Sequence, residues 1–397
     1  MALMLAVAGL GFSVRAFPQG VVFVLTARPR APRPTVPLRC TWSWKIVTSP
    51  SPDPRGNLLT GVAAVSPSDV WAVGGSGGWY SNRLTKTLVE HWDGSRWRVV
   101  PSPNSGSGLN ELTGVAAAGP DDIWAVGYTS DDGDPRTLIE HWGGRRWNVI
   151  PSPSPGTGGN YLYAVTAIGA DDVWAVGASG DVNFASGVTL IEHWDGTSWT
   201  VVGGPDPSGQ GDLLFGVAAA SSQDVWAVGY RRGNTNNTQP LIERWDGTSW
   251  STAPSPIAQR SALHAVAVVA PDDAWAVGPP IERWDGRSWT LVPAPAIRRD
   301  ISLWGVAAAA RDRVWAVGDV PFAEGVGNQP QIARWDGRRW RVVVRGVPPG
   351  TFASVTALPG GDAWAVGFQG RGAPRTLIES RSCGILMDQA RVFRSPA

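Results

Sequence analysis

Two cysteines and four histidines among 397 residues leave little material for a metal site, which needs three or four convergent ligands. Charge of one sign is equally scarce, with 34 Lys and Arg standing against 33 Asp and Glu. That balance removes the electrostatic case for nucleic acid or an anionic membrane surface as a partner. No apolar run repeats with the 3.6-residue period of a helix. No Gly-rich phosphate loop opens a helix, and no Gly-x-Ser-x-Gly element joins a strand to a helix. Nucleotide and serine-hydrolase chemistry therefore lack their usual scaffolds, and no cofactor is expected.

Glycine and proline, by contrast, are plentiful at 49 and 33, and they fall between short apolar runs. Many tight turns in an all-β chain give that pattern. Tryptophan is in excess at 23. Trp-Ala-Val-Gly occurs at Trp71, Trp124, Trp174, Trp226, Trp275, Trp315 and Trp364, in steps of 53, 50, 52, 49, 40 and 49 residues. A period near 50 is the length of one four-stranded propeller blade. Seven units predict a seven-bladed β-propeller of four-stranded antiparallel blades.

One unit shows the plan. Leu112–Ala118, Asp122–Gly127, Thr137–Trp142 and Arg146–Ile150 read as strands a, b, c and d, rich in Val, Ile and Trp and bounded by turn residues. Asp-Gly, as in Trp92-Asp-Gly-Ser-Arg-Trp97, is a favoured hairpin pair between c and d. Beyond the Trp of strand b, a second Trp slot opens strand d (Trp44, Trp97, Trp147, Trp199, Trp250, Trp289, Trp340). A third precedes the c–d turn (Trp92, Trp142, Trp194, Trp245, Trp284, Trp335). A buried Trp removes about 150–250 Å² from water, an upper estimate of roughly 4–6 kcal/mol, so these twenty are assigned to the core.

The ends carry further information. The seventh unit has strands a to c but no matching d, whereas Trp44-Lys-Ile-Val-Thr-Ser-Pro matches Trp97-Arg-Val-Val-Pro-Ser-Pro. The N-terminal segment is thus expected to supply the outer strand of the last blade and close the ring. Cys40 and Cys383 align to the same c–d corner, so a ring-closing disulfide is one reading; a degenerate tail over 381–397 is the other. The domain reading is an apolar signal-like or anchor segment at 1–27, a Pro/Arg-rich linker at 28–39, the propeller at 40–381 and an irregular tail at 382–397. Residues 1–26 read equally as a membrane anchor, a signal peptide, or a stretch upstream of the true start. A secreted or cell-surface monomer is expected.

In an antiparallel blade the a–b and c–d turns share one face and the b–c and d–a connections the other. The first set is short and repetitive; the second differs in every unit, from Gly75–Arg83 through Tyr128–Asp134 and Tyr230–Asn237 to Gly278–Pro280. Unlike loops on a fixed scaffold are the usual arrangement of a binding surface. One slot near the start of strand a is also unlike from unit to unit: Thr60, Thr113, Tyr163, Phe215, His264, Trp304 and Ala353. Such a ring at the channel mouth either stacks on a sugar or peptide or plugs the channel. With the loop residues Trp79, Tyr80, Tyr128, Tyr230 and Arg231, the first six make the candidate ligand site.

His91, His141 and His193 share a slot with Arg244, Arg283 and Arg334, so they are spread round the ring. The recurring Glu (Glu90, Glu140, Glu192, Glu243, Glu282, Glu379) and Asp (Asp69, Asp122, Asp172, Asp224, Asp273, Asp362) are repeat slots too, expected to cap turns and bridge blades. Arg313 and Ala333 take those slots in the sixth unit. The loop acids Asp131, Asp132 and Asp134 could hold a calcium ion, but lone loop acids are usually just solvated, and no metal is expected.

With its Asp-x-Trp-Ala-Val-Gly and Trp-Asp-Gly-x-x-Trp elements, the repeat resembles bacterial kelch-like propellers, related in fold to the central domain of galactose oxidase. The resemblance covers residues 41–380. Copper oxidase chemistry is not implied, because the cysteines fall at the ring seam and three of four histidines lie toward the opposite turns. Sialidase-like turns differ in spacing. The expectation is a non-catalytic extracytoplasmic propeller that binds a protein or glycan. The alternatives are a polysaccharide hydrolase or lyase using His264 or Tyr163, and a purely structural module. No carboxylate pair for glycoside hydrolysis is evident among the ring residues.

Overall fold

A computed structural model describes residues 16–17, 20–21 and 40–385, apart from 78–84, 107, 132, 181–186, 206, 208–210, 233–237, 259–260, 295–300, 322–326, 345–347 and 371. Trp42–Cys383 form one compact unit. In a second unit (Met1–Thr41 with Gly384–Ala397), the described strands are the antiparallel pair Ala16–Phe17 and Gly20–Val21. The proposed anchor at 1–26, the linker and the tail otherwise lie outside the described residues.

Seven four-stranded antiparallel sheets follow one another in the order a-b-c-d. In the first blade these are Asn57–Ser66, Asp69–Ser76, Lys86–Trp92 and Trp97–Val99. The fifth blade is smallest, with Ala265–Ala270, Asp273–Val277, Ile281–Trp284 and Trp289–Leu291. The seventh comprises Gly350–Ala357, Ala363–Gln369 and Arg375–Ile385, and its fourth strand is Cys40–Ile46. The N-terminal strand therefore fills the outer place of the last blade. The Val47 amide donates to the Ile378 carbonyl at 2.9 Å just beyond it.

Strand a is innermost and touches strand a of both neighbours, the seventh closing on the first. Each interface between blades has its own apolar core, seven in all. The Trp of strand b is the centre of each. Trp124 meets Trp194 and Trp199 of the next blade at 5.0 and 5.5 Å between ring centres, the latter edge to face. The Trp before the c–d turn is less buried in blades one to four, and in blades three to five its indole N–H reaches the a–b turn, as in Trp194 to the Ala170 carbonyl at 3.2 Å.

The repeat acids act otherwise than as turn caps. Asp69, Asp122 and Asp172 accept from His91, His141 and His193 at 2.8, 2.8 and 2.9 Å, and Asp224 and Asp273 accept from Arg244 Nε and Arg283 Nε at 2.8 Å. Turn capping falls to the Asp of the c–d hairpin. Asp195 Oδ1 accepts from the Thr197 and Ser198 amides at 2.8 and 2.9 Å, and the adjacent Gly196 has φ 92°, a conformation glycine tolerates. The repeat Glu are buried between blades; Glu282 accepts from Ser255 of the preceding blade at 2.8 Å, whereas Glu90, Glu140 and Glu192 have no protein hydrogen-bond partner. Burial raises them to about 9, 8 and 8, so they are neutral carboxylic acids at pH 7.

Candidate functional site

The unlike slot of strand a has a structural basis that period counting misses. Pairing of strands a and b shifts by one residue between Leu59 and Gly61, Leu112 and Gly114, Leu162 and Ala164, Leu214 and Gly216, Leu303 and Gly305, and Phe352 and Ser354. The extra residue at each β-bulge is the ring residue: Thr60, Thr113, Tyr163, Phe215, Trp304 and Ala353. A bulge re-aims one side chain out of the ladder. Facing it, the glycine of Trp-Ala-Val-Gly is required, because a Cβ on Gly74, Gly127 or Gly177 would overlap the carbonyl of Leu58, Glu111 or Tyr161. His264 lies just before its strand, its amide donating to the Val277 carbonyl at 2.7 Å. All seven ring residues line one central cavity of about 220 Å³.

Within that ring the roles divide. Thr60 and Thr113 hydroxyls donate across the blade boundary to the Leu112 and Leu162 carbonyls at 2.7 and 2.8 Å, so they stitch blades together. His264 Nδ1 makes the equivalent contact to the Leu303 carbonyl at 2.8 Å. A carbonyl only accepts, so Nδ1 carries the proton and Nε2 is the acceptor of the neutral ring. Burial lowers the His264 pKa, partly opposed by this bond, which keeps the ring neutral at pH 7.

The aromatic members form a continuous arc. Tyr128 contacts Tyr161 at 4.9 Å, Tyr161 stacks near Tyr163 at 6.2 Å, Tyr163 meets Phe215 at 5.3 Å, and Phe215 meets both Tyr230 and His264 at 5.7 and 5.9 Å. His264 then stacks on Trp304 at 4.4 Å. The arc spans blades two to six, while Thr60, Thr113 and Ala353 leave the remaining side small. Both ends are tied down. Tyr128 donates to Glu111 at 2.7 Å, and the Trp304 indole donates to Asp319 at 3.0 Å. Burial raises both carboxyls above their usual range, with these hydrogen bonds opposing. Trp304 remains 40 % exposed. Burial also raises the Tyr163 phenol, which removes it as a base near neutral pH.

Tyr161, Glu111 and Asp319 escaped the sequence reading; Tyr161 was detectable, being two residues before Tyr163 and hence on the same strand face. A second missed slot lies three residues before the ring slot, where Asn57, Asn110 and Asn160 stand. These buried amides pin the d–a loops. Asn160 accepts from the Gly156 amide and donates to its carbonyl at 2.8 and 3.0 Å; Asn110 holds Ser105 and Gly108 likewise.

Trp79 and Tyr80 lie outside the described residues, as do several of the longest connections on this face. Arg231 is exposed and donates to Gln239 at 3.0 Å. Asp131 and Asp134 accept from the Gly108 and Gly158 amides at 3.2 and 3.0 Å, along a polar groove of about 770 Å³, and so act as loop caps; Asp132 lies outside the described residues. Cys383 is disulfide-bonded. The side chain of Cys40, the other cysteine, lies outside those described.

Comparison with solved structures finds the propeller fold repeatedly. YCF48 bound to D1 peptide superposes with a TM-score of 0.55 at 15% identity, over 85% of this chain and 94% of that one. YCF48 from Cyanidioschyzon merolae gives 0.55 at 18%, covering 85% and 98%. A GH74 xyloglucanase from Xanthomonas campestris gives 0.53 at 14%, over 84% of this chain and 54% of that one. At these identities the likeness concerns fold alone. No protein-family model matches the chain, and no curated protein matches it.

Proposed function

We propose that the protein is a non-catalytic binding propeller that holds an extended ligand, a peptide or glycan chain, across the aromatic arc at the channel mouth. The observation that carries this reading is the one-sided run of half-exposed rings from Tyr161 to Trp304. Stacking faces gathered on one side of a mouth fit a chain crossing it; a plug would need them all round. Both flanking carboxyls are engaged by Tyr128 and Trp304, which favours binding over hydrolysis. Propellers of the same fold hold a peptide in the YCF48 complex and act on a glycan in the xyloglucanase. Extracytoplasmic placement belongs to the same proposal.

Parallel glycan and peptide arrays test it. The wild-type protein is expected to select a ligand that Tyr163→Ala and Trp304→Ala each bind at least about fivefold more weakly, since one stacked aromatic contributes roughly 1 kcal/mol or more. Unchanged affinity in both variants would remove the arc from the site.

A further inference from the structure

The opposite face, made of the short a–b and c–d turns, breaks its own repeat at the boundary between blades six and seven. Five blades place an Asp at the start of strand b against a His or Arg of strand c, and in blades four and five the arginine Nε donates to that carboxylate at 2.8 Å. Blade six keeps the basic partner, Arg334, but has Arg313 in the Asp slot. Blade seven adds a second exchange. Arg381 pairs with Ala363 in the register that brings Trp335 opposite Val314 one blade earlier, so an arginine occupies the Trp slot.

The retained Arg334 and the exchanged Arg381 flank one indole. The guanidinium carbons of Arg334 and Arg381 lie 5.5 and 5.0 Å from the Trp315 ring, and Arg381 also lies 4.4 Å from Trp42. Arg313 donates to the Pro359 carbonyl at 3.0 Å and Arg381 to the Gly361 carbonyl. Arg334 Nε is buried and has no hydrogen-bond partner, although the same atom in Arg244 and Arg283 holds a carboxylate. A desolvated guanidinium N–H without an acceptor is costly. Burial, then the like charges of Arg334 and Arg313, lowers Arg381 to about 10, with Asp362 opposing. Trp42, 37 % exposed, forms an apolar wall beside the group.

We propose that Arg313, Arg334 and Arg381 form a carboxylate-binding site, in which a ligand carboxylate takes the position that the repeat's own Asp fills in blades four and five. The chemistry follows from the vacated slot: the acceptor that Arg334 Nε meets elsewhere in the ring is a carboxylate, and paired guanidinium donors match its geometry. The site lies at the far end of the blades from the aromatic arc, so it stands or falls independently of the mouth.

The test is thermal unfolding at constant ionic strength in sodium acetate, phosphate or chloride, and with acetyl-Gly-Asp-Gly-amide or its Asn counterpart. Side-chain NMR of Arg334 Nε–H accompanies it. Acetate and the Asp peptide are expected to raise the Tm in a saturable manner beyond chloride and to shift the Arg334 resonance. A stronger response to the peptide than to acetate identifies a protein partner as the source, and an equal one a free small carboxylate. Arg313→Asp rebuilds the blade-five pairing and is expected to raise the basal Tm and abolish the acetate response. Equal Tm gains in acetate and chloride, a response to phosphate alone, or an acetate response surviving in Arg313→Asp would each overturn the proposal.

Discussion

Gly177 shows how one atom governs the ring slot. Its missing Cβ leaves room for the Tyr161 carbonyl beside the bulge that presents Tyr163 to the channel. Gly177→Ala is expected to destabilise the protein by about 1–3 kcal/mol in urea denaturation, because the obstacle is backbone and cannot rotate away. A cost near zero would mean that the bulge relaxes. The variable slot itself was legible in the sequence, since six residue types at its seven positions interrupt an otherwise monotonous strand. Its cause was not. A bulge is a defect in pairing between strands, and only the constant glycine opposite hinted at it. The division of labour within the slot was equally hidden: Thr60 and Thr113 look like ligand donors until their hydroxyls are found on the neighbouring blade's carbonyls.

At the scale of the element, two polar slots behave unlike their chemistry on paper. Asn160 anchors a d–a loop through three hydrogen bonds, to the Gly156 amide and carbonyl and from Ser179. Asn160→Ala is expected to lose about 1–3 kcal/mol of unfolding free energy, more than an exposed loop substitution would. The buried Glu of strand c set a pH dependence. Unfolded Glu loses its proton near 4.5, whereas Glu90, Glu140 and Glu192 keep theirs in the folded state up to about 9, 8 and 8. Between those limits the folded protein binds more protons, so its stability falls as pH rises, by up to about 1.4 kcal/mol per pH unit for each group. Replacing all three by Gln is expected to flatten the Tm profile between pH 5 and 8; an unchanged slope would assign the dependence elsewhere. Sequence periodicity identified these positions as repeat slots and assigned them turn-capping and bridging roles. The hairpin Asp took the capping role, the strand-b Asp pair with a His or Arg of their own blade, and bridging shows at Glu282, because only a strand register shows which acid faces which base.

For the whole molecule, closure is the decisive event. It was readable from one displaced strand, Trp44-Lys-Ile-Val, since a repeat that ends one strand short can be completed only by the other end of the chain. Trp44 sits edge to face on Trp315 at 5.3 Å, sealing the interface between blades six and seven. Trp44→Ala is expected to cost about 3 kcal/mol, as for other large-to-small changes at packed aromatics, and to open the seam first in hydrogen exchange. Uniform protection loss around the ring would contradict a seam at that place. The two faces differ accordingly, with unlike loops and an aromatic arc on one and the arginine exchange on the other.

The most direct test of binding at the arc uses its tyrosines. Only five occur in the chain, and Tyr128, Tyr161, Tyr163 and Tyr230 all belong to the arc. Fluorotyrosine labelling with single Tyr→Phe assignments, followed by fluorine NMR during titration with the ligand selected on the arrays, is predicted to move the Tyr161 and Tyr163 resonances together and saturably. Saturable binding that leaves both unmoved would place the ligand elsewhere and contradict the account.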